Sequence, residues 1–147
     1  MAQVAIIVNG PATSSGAANA GKAEIAQALG ILLGCPVLDP ALVAQALKQQ
    51  TGPVAPVDGL RALSIETVLR TAGLVKAGVI VDAAFEAADR ETVESGLALA
   101  GTPTPRVVEV WCGEAGGALA LTPVVEVADV ATVDMDALVQ EISALFV

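Results

Sequence analysis

The stretch Gly16-Ala17-Ala18-Asn19-Ala20-Gly21-Lys22-Ala23 has the spacing G-x-x-x-x-G-K, with alanine where serine or threonine would complete the pattern. The chemistry of that pattern is phosphate holding. Glycines let successive backbone N–H groups converge on an anion, and the positive end of the following helix points at the same place. Lys22 would add a point charge for the β- and γ-phosphates of a nucleotide, whereas Ala23 has no hydroxyl for a magnesium ion. Gly16, Asn19, Ala20, Gly21, Lys22 and Ala23 are therefore the candidate nucleotide-binding residues, and ATP with Mg2+ is the cofactor pair they imply. Gly10-Pro11 lies far upstream of Gly21-Lys22, so the loop reads as expanded by small residues. The plainer alternative is a Gly/Ala-rich loop that happens to precede a lysine.

Other residue types narrow the chemistry. There is no histidine, which removes the commonest general base and every Ser-His-Asp mechanism. Cys35 and Cys112 lack the spacing of a metal site. They read as reduced, buried thiols, with a disulfide as the minor alternative. Among the acids, Asp39 and Asp82 each close a short apolar run. Asp39 precedes proline and reads as a helix N-cap, and Asp82 reads as a turn or cap residue.

These side chains need a scaffold, and the pattern supplies one. Gln3–Asn9, Pro36–Leu38, Val79–Asp82, Val107–Cys112 and Pro123–Val127 are short apolar runs of strand type. Between them lie helical patterns over Lys22–Leu33, the segment after Asp39, Leu60–Ala77 and Glu86–Ala100, with a last helix after Asp134. The small residues Ala12 to Gly21 read as a loop, and so does Thr51 to Gly59. Regular alternation of strand and helix argues for a parallel sheet with helices on both faces.

The whole chain, residues 1–147, reads as one domain with an aliphatic core, since Phe85, Trp111 and Phe146 are its only aromatic residues. A net charge of -9 argues against bulk attraction to nucleic acid or to an anionic membrane. No signal peptide is visible, and no apolar stretch approaches the ~20 residues of a membrane span. A cytoplasmic, acidic α/β protein is the expectation.

The segment Val4 to Leu47 resembles the start of nucleoside-monophosphate kinases, cytidylate kinase in particular. The residues that carry this are Gly10-Pro11, Gly21-Lys22, Ala28-Leu29 and Pro36-Val37-Leu38-Asp39. Gly78 to Cys112 is similar to small AAA-type P-loop kinases, the group of zeta-toxin and chloramphenicol-phosphotransferase relatives, through Val79-Ile80-Val81-Asp82-Ala83 and Val107–Cys112. Val124–Val127 and Val133–Val139 resemble the last strand and helix of that second group. The resemblance implies a three-layer α/β/α fold with a five-stranded parallel sheet of order 2-3-1-4-5. It also implies phosphoryl transfer from ATP to a small acceptor. Carried over by position, Lys22 is the phosphate lysine, Asp39 faces the acceptor as its base, and Asp82 is the acid near magnesium.

The pattern is incomplete where such kinases place a lid whose arginines clamp the transferring group. Gly113 to Thr122 stands there instead and contains no base, and no lysine or arginine follows Arg106. Glu109, Glu114, Glu126, Asp129, Asp134, Asp136 and Glu141 make that half acidic. Arg61 or Arg90 could reach the cleft edge. Together these features predict a degenerate kinase-like protein with weak or no phosphoryl transfer, acting through a nucleotide or small-molecule ligand, a protein partner or a second copy of itself. The alternatives are a minimal ATP-dependent kinase acting on a nucleoside monophosphate or small metabolite, and an anion-binding module without turnover.

Overall fold

Strand β1 (Val4–Asn9) is apolar at successive rather than alternate positions and is buried from Ala5 onward. That is the signature of a strand covered on both faces, and β1 takes the centre of the sheet. The computed structural model describes residues 3–10, 16–101, 103–113, 119 and 123–146, without the side chains of residues 16–20. Among the described residues, β1 is joined by β2 (Val37–Leu38), β3 (Val79–Asp82), β4 (Arg106–Cys112) and β5 (Val124–Val127) in the order β2-β3-β1-β4-β5. Every pairing is parallel, with Ile7 beside Val81 on one side and Glu109 on the other. The sheet order implied by the kinase resemblance is the one found.

Helix α1 (Gly16–Leu33) follows β1, α2 (Pro40–Thr51) and α3 (Val57–Thr71) both follow β2, α4 (Arg90–Leu99) follows β3, and α5 (Met135–Ala144) follows β5. Ile25 and Leu29 of α1 join Leu138 and Ile142 of α5 over one face of the sheet. Ile65 and Leu69 of α3 join Val93 and Leu97 of α4 over the other. The protein is therefore a three-layer α/β/α sandwich. No helix among the described residues is long and apolar enough to cross a membrane.

Local chemistry sets the helix starts. Asp39 accepts a hydrogen bond from the Ala41 N–H at 2.8 Å, and Pro40 follows it at the first helical position. Asp134 does the same for α5, accepting from the Asp136 and Ala137 N–H groups.

Three boundaries differ from expectation. Helix α1 begins at Gly16 rather than near Lys22, so residues 16–21 are helical and not loop. Ala17, Ala18 and Ala20 are the best helix formers available, and they extend the helix backward. Residues 11–15 of the expected loop lie outside the described residues. Helix α3 runs from Val57 to Thr71 rather than from Leu60 to Ala77. Its last turn tightens, with Ala72, Gly73 and Leu74 N–H groups bonding three residues back, and Gly73 abuts the Ala100 backbone too closely to admit a side chain. The helical pattern Glu86–Ala100 splits into a 3-10 turn at Ala87–Asp89 and α4. Of the Gly113–Thr122 connector, only Gly113 and Leu119 fall within the described residues.

Candidate functional site

A parallel sheet gathers the carboxyl ends of its strands on one edge, and ligands of such folds bind there. Here that edge carries Asn9-Gly10 at the end of β1, Asp39 after β2, Asp82-Ala83 at the end of β3 and Cys112-Gly113 at the end of β4. Beside the β3 end lies a cavity of about 660 Å³. Ala41, Ala44, Gln45 and Lys48, spaced as one face of a helix, form its α2 wall. Val57, Leu60, Arg61 and Ser64 do the same from α3. Lys22, Ala23, Asp39 and Asp82 close the inner end.

Three residues singled out by the sequence thus meet in one cavity, although they lie far apart in the chain. Lys22 is buried, and its ammonium donates to the Ala83 carbonyl. It also lies 3.6 Å from Asp82 Oδ1. Burial pushes the Asp82 carboxyl above the ordinary carboxylate range; Lys22 opposes that shift and the nearby Asp39 charge adds to it.

The residues before Lys22 have a different geometry from a phosphate cradle. Within α1 the N–H groups of Ala20, Gly21 and Lys22 point toward carbonyls four residues back. They do not converge on one point. Gly16, Asn19 and Ala20 lie along the first turns of the same helix, where the free N–H groups are those at the Gly16 end.

Gly21 has a packing reason to be glycine. A Cβ built there would sit 2.5 Å from Val130 Cγ2, inside any real contact distance. Gly21→Ala is therefore expected to cost about 1–3 kcal/mol by overpacking, despite the better helix propensity of alanine. Gly21→Ala with Val130→Ala should recover most of that loss in urea unfolding. If the double variant recovers nothing, contact with Val130 is not what requires glycine.

Arg61 reaches the cavity and is already engaged there. It donates to Asp89 at 3.1 and 2.5 Å and to the Ala84 carbonyl at 3.2 Å. Burial is the largest single influence on Asp89 and works to raise it, but the hydrogen bond from Arg61, the one from the Glu86 N–H and the Arg61 charge together hold the carboxyl below its usual range. Arg90 does not line the cavity; it pairs with Glu94 and donates to the Leu119 carbonyl.

The cysteines are both free, so the disulfide alternative does not form. Burial pushes the Cys112 thiol up to about 11, which keeps it protonated and unreactive at neutral pH.

A polar network next to the site lies outside the candidates the sequence singles out. Asn9 and Glu109 are fully buried. Asn9 Nδ2 donates to Glu109 Oε2 at 2.9 Å, and its Oδ1 accepts from the Phe85 and Gly10 N–H groups at 2.8 and 3.0 Å. The Leu119 N–H donates to the same Glu109 oxygen at 2.9 Å. Glu109 Oε1 has no partner among the described residues. Glu109 therefore does not join the exposed acids of the C-terminal half as the sequence reading grouped it. Its signal was an acid set inside the apolar run Val107–Cys112.

No family model and no curated protein sequence matches the chain. Solved structures do. A candidate kinase from Chloroflexus aurantiacus superposes with a TM-score of 0.68 at 17% identity, over 99% of this chain and 97% of that one. The tunicamycin resistance protein of Deinococcus radiodurans gives 0.64 at 16% identity, over 99% and 96%. The APS kinase CysC of Mycobacterium tuberculosis, solved with AMPPNP and APS, gives 0.63 at 14% identity, over 99% of each chain. The likeness runs the full length of the sheet and its helices, and it matches the strand order derived above. The chain has the fold of the P-loop kinase superfamily.

Proposed function

We propose that this chain is a kinase-fold protein that binds a small molecule in the cavity between α2 and α3 and transfers phosphoryl groups weakly or not at all. One observation carries the reading: the Lys22 ammonium is buried against the Ala83 carbonyl and Asp82, so the charge a nucleotide phosphate would need is already neutralised. The surroundings agree. The N–H groups just before Lys22 are spent inside α1. The donor set suits magnesium poorly: Ala23 has no hydroxyl, and Asp82 faces a lysine. No group of three or more metal-ligating side chains occurs among the described residues.

The fold itself supports the second reading, a minimal ATP-dependent kinase. Lys22, Asp39 and Asp82 share one cavity at the sheet edge, where Asp39 could serve an acceptor as base and Asp82 could approach a metal. A neighbour of the same fold was solved with AMPPNP and APS.

Melting with and without millimolar ATP and Mg2+ separates the two. A ligand present at a hundred times its dissociation constant stabilises by about 2.7 kcal/mol, which for a domain of this size is a clear shift. No shift is expected. A shift that disappears in Lys22→Ala would overturn the proposal in favour of the kinase.

A further inference from the structure

We infer that the cavity between α2 and α3 selects small molecules whose head group donates hydrogen bonds, a hydroxyl or an amine carried on an apolar body, and rejects those whose head is a phosphate or a carboxylate. This rests on the ligand-binding role proposed above and names the class of ligand for that site.

Charge balance at the inner end is the first argument. Two carboxylates, Asp39 and Asp82, face one ammonium, Lys22. That ammonium is turned onto Asp82 and the Ala83 carbonyl, so it has little left for a ligand anion. Asp39 engages Oδ1 with the Ala41 N–H, and its Oδ2 takes no hydrogen bond among the described residues. Ionised carboxylates only accept hydrogen bonds. The inner end therefore offers acceptor atoms with a net negative charge. An incoming phosphate would add a third negative centre where burial already disfavours charge.

The walls supply the second argument. Val57, Leu60, Ile65 and Phe85 present apolar surface around this polar end. Arg61, the cation best placed to hold an anion on the α3 wall, is committed to Asp89 and the Ala84 carbonyl. Lys48 remains, but it is an exposed side chain near the far end of α2, away from Asp39 at the start of that helix. An anion could meet Lys48 only outside the acceptor end. A donor head with an apolar body fits both parts at once. The same chemistry argues against the monophosphate acceptor that the N-terminal resemblance implies.

Ligand-observed NMR with matched fragments tests this. Phenethyl alcohol, phenethylamine, phenylpropionate and phenyl phosphate share a body and differ in head, and alicyclic counterparts extend the set. Cavity binding is defined as signal lost in Ala44→Trp, which places an indole on the α2 wall. Alcohols and amines should outnumber carboxylates and phosphates at least threefold among cavity binders. Asp39→Asn should erase most of that preference, and asparagine caps a helix as well as aspartate, so α2 stays intact. Amines lost with Asp39→Asn while alcohols persist would assign the preference to charge. Equal or greater binding by the anionic members overturns the inference and leaves the proposed binding role standing. The absence of any cavity-dependent binder overturns both.

Discussion

Asn9→Ala is expected to cost about 3–6 kcal/mol of folding stability, a large share of the 5–15 kcal/mol that holds a typical domain. The alanine leaves the Gly10 and Phe85 N–H groups without their acceptor and removes one of the two donors to the buried Glu109. Each orphaned buried group costs about 1–3 kcal/mol, because folding has already stripped it of water. The residues involved belong to β1, to the segment leaving β3, to β4 and to Leu119 beyond it. One side chain thus joins the parts of the sheet edge that frame the site. Asn9→Asp should do no better than alanine: it keeps an acceptor but sets a second carboxylate against Glu109. Glu109→Gln is the informative contrast. It retains an acceptor for Asn9 and Leu119 and removes a buried charge, so a loss below about 1 kcal/mol, or a gain, is expected. Urea unfolding of the three variants decides. An Asn9→Ala loss under 1 kcal/mol would mean that the network holds little together.

The strands were legible because burial on both faces leaves a plain mark. Val79–Asp82 has no room for alternation, and the sequence shows none. Asp39 and Asp134 were legible as caps because the chemistry is local, spanning two or three residues. The Asn9–Glu109 pair was not, since its members lie 100 positions apart and only the sheet register brings them together. The start of α1 differs from the expectation for another reason. The G-x-x-x-x-G-K spacing argued for a loop while Ala17, Ala18 and Ala20 argued for helix, and the stronger local preference prevailed. Gly21 belongs to both accounts. Its lack of a side chain suits a phosphate motif and equally suits contact with Val130, a residue no local pattern connects to it.

Lys22 is where the structural and catalytic readings make opposite forecasts. A phosphate lysine waiting for ligand would be expendable for folding, and its removal would cost function alone. The observed Lys22 is buried, donates to the Ala83 carbonyl and faces Asp82. Lys22→Ala should therefore lower stability at neutral pH by about 2–4 kcal/mol, somewhat less than a fully buried pair because Asp82 keeps some contact with solvent. The loss should shrink in acid. Desolvation has already raised the Asp82 carboxyl, and removing Lys22 takes away the influence that opposes it. A carboxyl whose folded value lies above its unfolded value of about 4 favours the fold below that pH. It loses this contribution as pH rises through the folded value, and the variant reaches that loss in full by neutrality. Lys22→Met with Asp82→Asn should restore most of the stability, since it removes both charges and leaves no carboxylate stranded. Unfolding curves at pH 4.5 and 7 measure all of this without any nucleotide. If Lys22→Ala is as stable as the parent at both values, the lysine is not part of the scaffold. Its buried charge would then have to be explained by a ligand, and the case for phosphoryl transfer would strengthen accordingly.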